Sequence, residues 1–185
     1  MSDIALIGRA RSGKDTVAAR LIASHSFTRV AFADPLKEMA LKINPIVDVE
    51  PYECDEVLYA EEERLSHLVR AVGWERAKDE YPEVRRILQQ TGQAIRELDP
   101  DFWVRLALST IGCVFTPVVV TDVRYPNEAD ALRAEGFRLV RIVRPGSPWL
   151  DHESETALDD YPVDALIINA GSLAELHMRA DALLS

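Results

Sequence analysis

The chain is short of basic residues. Its 185 residues carry 21 Lys plus Arg against 31 Asp plus Glu, a formal net charge of −10. So acidic a surface argues against binding DNA or RNA, where cations must meet phosphates. Only two cysteines occur, Cys54 and Cys113. Neither has a partner at metal-ligand spacing, so the expected state is two reduced, partly buried thiols rather than a disulfide or a zinc site. No apolar run approaches the ~20 residues that span a bilayer, and the N-terminus lacks the charged-then-apolar pattern of a leader. The cytoplasm is the expected compartment, with neither membrane nor nucleic acid as a partner. No repeat, low-complexity tract or linker divides the sequence. Its length suits one good core and is too short for two ordinary domains, so a single domain over 1–185 is expected.

The apolar content of 48% is that of a globular protein. Five short β-branched runs read as buried strands: Ile4-Ala5-Leu6-Ile7, then 28–32 (TRVAF), 117–121 (PVVVT), 138–143 (RLVRIV) and 164–169 (DALIIN). Helical stretches lie between them, which predicts a parallel sheet covered on both faces, a three-layer α/β domain. A helix is predicted from Thr16 to Ile22, another begins at Asp34-Pro35-Leu36-Lys37 with Asp34 as N-cap, and a third runs from Pro82 to Thr91 and stops at Gly92. Asn127 is placed to cap a helix ending at Gly136, and Ser172 to cap the last one. The stretch 44–81 fits this pattern less well. Eight acidic residues and no basic one fall between Asp48 and Glu63; this is a solvated insertion or a cover over a second substrate.

The first strand runs into Gly8-Arg9-Ala10-Arg11-Ser12-Gly13-Lys14-Asp15-Thr16. This is a phosphate-binding loop of the G-x-x-x-x-G-K type. Its glycines let backbone N–H groups face a phosphate, Lys14 adds a cation at the outer phosphates, and the following helix presents its N-terminus to an anion. Asp15 stands where Ser or Thr usually ligates magnesium; its carboxylate is a hard oxygen ligand that binds the metal directly or through water.

Further candidates lie downstream. Val118-Val119-Val120-Thr121-Asp122 is an apolar strand ending in an acid, at the sheet edge where this architecture places ligands. Arg124 and Glu128 follow: either a phosphoryl clamp and its partner, or a surface salt bridge. Arg85, Arg86 and Gln89 share a helical face, where solvated charges are the ordinary reading. Trp103 either stacks on a base or fills the core. Lys37 is a solvated charge or a reach toward phosphate. His152-Glu153-Ser154-Glu155 shows no zinc spacing and no Ser-His-Asp order.

Taken together, S-G-K-D-T (12–16), F-A-D-P-L-K-E (32–38), R-R-I-L-Q-Q-T-G-Q (85–93) with D-P-D-F-W-V (99–104), T-D-V-R-Y-P-N-E-A (121–129) and H-E-S-E-T-A-L-D-D (152–160) resemble, in order, the deoxynucleoside monophosphate kinases of tailed bacteriophages. Animal phosphomevalonate kinases share part of the pattern. The resemblance implies a P-loop fold, a three-layer α/β/α sandwich with a five-stranded parallel sheet, and transfer of the ATP γ-phosphoryl group to a deoxynucleoside monophosphate with Mg2+. It implies ATP binding by Arg11, Ser12, Gly13, Lys14, Asp15 and Thr16, and monophosphate binding by Lys37, Arg85, Arg86, Gln89, Gly92 and Trp103. The catalytic set would be Lys14, Asp15, Asp122, Arg124 and Glu128, with Asp15 and Asp122 toward the metal. A short lid-like connection is expected at about 144–162, with Arg141 or Arg144 joining Arg124 at phosphate. The partners are ATP and the monophosphate, and a homodimer is left open. A kinase of another phosphorylated small molecule, phosphomevalonate-like or dephospho-coenzyme A-like, is the alternative. A non-catalytic nucleotide switch is a weaker one, since N-K-x-D and D-x-x-G motifs are missing.

Overall fold

The computed structural model describes residues 2–54, 57–146 and 156–184. Residues 147–155 of the expected lid-like connection, with His152 to Glu155, lie outside the described residues. The chain divides into two compact units, one formed by residues 1–32 with 103–185, the other by 33–102.

The first unit is built on five parallel strands: β1 (Ile4–Ile7), β2 (Thr28–Val30), β5 (Val118–Val123), β6 (Arg138–Val143) and β7 (Ala165–Ile168). Their order is β2-β5-β1-β6-β7. β1 is therefore central, with the chain leaving it toward one side first and the other side later. That change of direction opens a crevice at the C-terminal ends of the strands. Burial explains the composition. Ile4, Leu6, Val119, Val140, Ile142 and Ile167 pack against Val17, Ala18 and Leu21 of helix α1 (Lys14–His25) and Leu176 and Ala180 of helix α7 (Leu173–Asp181). Alternate residues Ala5, Ile7, Val118, Val120 and Leu139 are equally buried and face the other way. Helix α6 (Pro126–Ala134), with Ala129 and Leu132 buried, packs against β6. Helix α5 (Phe102–Ile111) buries Trp103, Val104 and Ala107.

The second unit contains helix α2 (Ala33–Ile43), a hairpin of β3 (Ile46–Cys54) and β4 (Val57–Arg64), and helices α3 (Leu65–Glu80) and α4 (Pro82–Leu98). Ala40, Val47, Leu65, Leu68, Ala77 and Val84 form its core. The hairpin is antiparallel, pairs Asp48 with Glu63 and Glu50 with Glu61, and stacks Tyr52 on Tyr59 with ring centroids 5.4 Å apart. Gly73, at φ 78°, breaks the helical path within α3.

Several sequence expectations are corrected here. The helix from Pro82 does not stop at Gly92 but continues to Leu98. Gly92 faces α2, where a Cβ would stand 3.1 Å from Leu36 Cδ2. Its small size serves packing, and a single glycine inside a long helix is tolerated at about 1 kcal/mol. Asp34 lies in the first turn of α2 and not at its cap, because the helix starts at Ala33. Asn127 does not cap α6. Pro126, with its fixed φ, takes the first helical position and puts the cap at Tyr125. Cys113 is exposed and not partly buried. Ser172 does cap the last helix, accepting the Glu175 N–H.

The end of α7 is tied to α1 by Asp181, which accepts from Arg20 at 2.9 and 2.8 Å and pairs with His25 at 2.9 Å. The Arg20 hydrogen bond, followed by that of His25, holds the Asp181 carboxyl far below the usual carboxylate range. A depressed carboxyl pKa adds stability above the unfolded value of about 4 and loses it as pH falls. Asp181→Asn is expected to lower Tm at pH 7, with the gap to the parent closing progressively below about pH 4; thermal melts across pH 2–8 check this.

Candidate phosphate-binding site

The loop between β1 and α1 is shaped by two positions that no side chain fits. At Gly8 a Cβ would lie 2.4 Å from the Ile142 carbonyl oxygen and 2.9 Å from Ser12 Oγ. At Gly13 the backbone has φ 107°, and a Cβ would lie 2.6 Å from Asn169 Nδ2. Arg11, with φ 60°, makes the turn between them. The loop closes on itself through Ser12 N–H to the Arg9 carbonyl at 3.3 Å.

Lys14 is buried, and its ammonium donates to the carbonyls of Gly8 at 2.6 Å and Arg9 at 2.7 Å. It thus arches back over the loop whose mouth it is expected to serve. Asp15 is exposed in the first turn of α1, beside half-buried Thr16. Ser12 is 1% exposed, and its hydroxyl has no hydrogen-bond partner among the described residues. An orphaned buried hydroxyl in such a loop suits a ligand oxygen.

Below the loop lies a cavity of about 320 Å³, lined by Gly8, Ser12, Arg124, Arg141, Arg144 and Asp159 among others. Its charge is partly neutralised from within. Arg9 pairs with the Asp159 carboxylate through both Nε and Nη2. Arg141 donates to the carbonyls of Leu158 at 2.6 Å and Tyr161 at 2.7 Å, and also to that of Asp159. Arg141 is therefore a brace for 158–161, with its Nε buried and without a partner among the described residues. Tyr161 donates to Asp130 at 2.5 Å; burial first, then this bond, pushes the phenol pKa up.

Asp122, near the end of β5, accepts the Phe32 N–H at 2.9 Å. Glu128 is 2% exposed and accepts the N–H groups of Arg124 at 2.8 Å and Tyr125 at 3.2 Å. Those hydrogen bonds make it an N-terminal anchor that fixes the chain at Arg124. The first unit thus gathers the loop, Asp122, Arg124 and Glu128 at the C-terminal ends of its strands. Trp103 is in the same unit and is 3% exposed, so its ring is packed. Among the described residues no group of three or more His, Cys, Asp or Glu is poised to hold a metal ion. The hard oxygens of Asp15 and Asp122 fit magnesium, which ordinarily takes one or two carboxylates with phosphates and waters.

The other candidates belong to the second unit. Arg85 donates to Asp79 at 3.1 Å. Arg86 donates to Glu83, with Nε at 2.7 Å, and to Gln90 at 2.6 Å. The Glu83 hydrogen bonds raise the Arg86 pKa and lower that of Glu83. Gln89 is exposed beside them on α4. Lys37 lies 3.8 Å from Asp34 and 5.8 Å from the Trp74 ring centroid. Sequence reasoning passed over Trp74, and also Asn169, whose Nδ2 donates to the Ser12 carbonyl at 2.9 Å. The only sequence signal for Asn169 is a polar residue ending an apolar strand.

A family model described as deoxynucleotide monophosphate kinase matches residues 51–180. The phosphate loop lies outside that match and stands on its own residues. The chain is 38% identical over 125 residues to the uncharacterized protein ORF77 of Ictalurid herpesvirus 1 (strain Auburn), covering 63% of this chain and 55% of that protein. It is 33% identical over 108 residues to the deoxynucleotide monophosphate kinase of Escherichia phage RB69, covering 55% and 44%. It is 28% identical over 185 residues to a putative deoxynucleotide monophosphate kinase of Acanthamoeba polyphaga mimivirus, covering 95% and 92%. The chain spans about half the length of the first two relatives. Among the described residues no helix is long and apolar enough to cross a membrane.

The position of Glu128 makes a test. Glu128→Ala removes the buried carboxylate that accepts from two N–H groups and is expected to cost about 2–4 kcal/mol of stability. Glu128→Gln keeps an acceptor oxygen and is expected to cost no more than about 1 kcal/mol. Denaturant unfolding of both variants checks the difference.

Proposed function

Because the chain belongs to the deoxynucleotide monophosphate kinase family, we propose that it transfers the γ-phosphoryl group of ATP to a deoxynucleoside monophosphate, giving the diphosphate and ADP. The observation that carries this reading is the loop itself. Two side-chain-free positions, a buried lysine and an orphaned serine hydroxyl sit over an arginine-lined cavity at the sheet's C-terminal edge. A polyphosphate matches that combination of backbone donors and fixed cations.

In the proposed reaction an oxygen of the acceptor phosphate attacks Pγ in line. The bond from Pγ to the β,γ-bridging oxygen breaks, and ADP leaves with that electron pair. The acceptor is already ionised, so no strong general base is required, and rate comes from alignment and charge neutralisation. Lys14 exchanges the Gly8 and Arg9 carbonyls for β/γ-phosphate oxygens. Ser12 Oγ and the N–H groups of the loop, with Arg11 and Thr16 beside them, hold the donor phosphates. Arg124, fixed in place by Glu128, stabilises charge on the transferring group. Asp15 and Asp122 are assigned to magnesium, which supplies neutralisation of the β- and γ-phosphates when bound. Glu128 is a positioning residue on this reading.

Lys37, Arg85, Arg86 and Gln89 are proposed to hold the monophosphate, the cations at phosphate and the amide at a base edge. Gly92 contributes through the packing of α4 on α2. For Trp103 the support is resemblance alone, because its ring is packed.

A coupled ADP-release assay with ATP, Mg2+, each of the four deoxynucleoside monophosphates and ribonucleotide controls tests the proposal. Turnover with at least one deoxynucleotide is expected, and activity on none of them would defeat it. Phosphomevalonate and dephospho-coenzyme A in parallel wells test the rival acceptors. Lys14→Met is expected to lower kcat by at least about 10²-fold while the protein stays folded; near-parental turnover would remove Lys14 from the mechanism.

A further inference from the structure

Asn169 ends the 164–169 run and belongs to neither the loop nor any of the candidate site motifs, yet the loop's conformation is written around it. It follows β7, and its backbone N–H donates to the Val143 carbonyl at 2.7 Å, so its own position is set by the sheet. Its side-chain Nδ2 donates to the Ser12 carbonyl at 2.9 Å. Gly13 makes room for that amide, since a Cβ there would stand 2.6 Å from Nδ2. The contact spans 157 residues of sequence and joins the last strand to the turn before Lys14.

The consequence follows from peptide geometry. In a trans peptide the C=O of one residue and the N–H of the next point in opposite directions, and no cis bond occurs among the described residues. Holding the Ser12 carbonyl toward Asn169 therefore turns the Gly13 N–H the opposite way. Among the described residues nothing accepts from that N–H. It is the last free-standing backbone donor before Lys14, and such donors are what a phosphate-binding loop offers an anion.

We propose that Asn169 is a positioning residue for nucleotide binding: its amide clamps the Ser12–Gly13 peptide so that the Gly13 N–H faces the donor polyphosphate. Asn169 need not touch the nucleotide to do this. The inference rests on the reading of the loop as the ATP site. A structural role without this function would lower stability and weaken both substrates alike. The clamp acts on the donor side only.

Asn169→Ala and the near-isosteric Asn169→Asp, whose carboxylate cannot donate to a carbonyl, separate the two. ADP and ATP affinities by titration calorimetry, KM for ATP, KM for the monophosphate, kcat and Tm are measured for the parent and both variants. The expected result is a loss of about tenfold or more in ADP and ATP affinity and a matching rise in ATP KM. Monophosphate KM should stay within about twofold and Tm within a few degrees. Asn169→Asp should be the weaker binder, since it adds a negative charge near the phosphates. Unchanged nucleotide affinity in both variants overturns the proposal, as does an equal loss for both substrates accompanied by a large fall in Tm. A parent protein that binds ATP without phosphorylating any monophosphate defeats the kinase reading alone, and the calorimetric ratio then still decides the role of Asn169.

Discussion

The chain leaving β1 passes so close to β6 that the Ile142 carbonyl oxygen occupies the space a side chain at Gly8 would need. This close approach sets the direction of everything that follows. The loop turns back at Arg11, closes through Ser12 and Arg9, and enters α1 with Gly13 at its N-cap. Because the loop is wedged between neighbouring strands, its donors are placed before any ligand arrives. A preorganised set of N–H groups costs little to reorient at binding, which is how a short loop holds a large anion.

Electrostatics in this protein are local. With a net charge of −10, the nucleotide binding proposed above would have to draw on arginines collected at one edge of the sheet. Arg9 and Arg141 spend their hydrogen bonds on the 158–161 segment, the first on the Asp159 carboxylate and the second on backbone carbonyls. The two roles differ in kind. Arg141, braced by carbonyls and partly sequestered, is a fixed part of the wall. Arg9, paired with a half-exposed carboxylate in screened surroundings, can exchange that partner for phosphate at small cost.

All five strands of the parallel sheet were legible because each is a short apolar or β-branched run bounded by turn residues, although only the inner strands are buried on both faces and the edge strands β2 and β7 expose Arg29, Leu166 and Ile168. The loop was legible because its spacing carries its mechanism. The hairpin was not. Val47-Asp48-Val49-Glu50 alternates as a strand should, yet the density of acids from Asp48 to Glu63 reads as a solvated charge run. Like charges pair across the strands at Glu50 and Glu61, which no cross-strand rule favours. Gly92 was misplaced because glycine ends many helices, and only the neighbour Leu36, more than fifty residues away, explains a glycine that does not. Asn127 lost the cap to a two-residue shift imposed by Pro126 at the first helical position. Glu128 was singled out in the sequence as a partner of Arg124, but its contact with backbone N–H groups depends on where the helix starts. Asn169 was missed for the same reason the fold matters: its partner is distant in sequence, and periodicity reports only local neighbours.

The second unit poses a different physical problem. Two of its arginines, Arg85 and Arg86, are exposed on α4 and already engaged, Arg85 with Asp79 and Arg86 with Glu83 and Gln90. Arg86 grips Glu83 through Nε and Nη2, a fork geometry that also matches two oxygens of a phosphate. Exposed ion pairs of this kind contribute little net stability, because solvent screens them and ordering both side chains opposes them. A phosphate arriving with two charges competes well against a single carboxylate in that setting. Exposure, which at first makes these arginines look like ordinary surface charges, would under the proposed function also let a monophosphate displace their internal partners. On the proposed reading, the buried loop would hold a preformed geometry for the donor and the exposed helix would exchange partners for the acceptor.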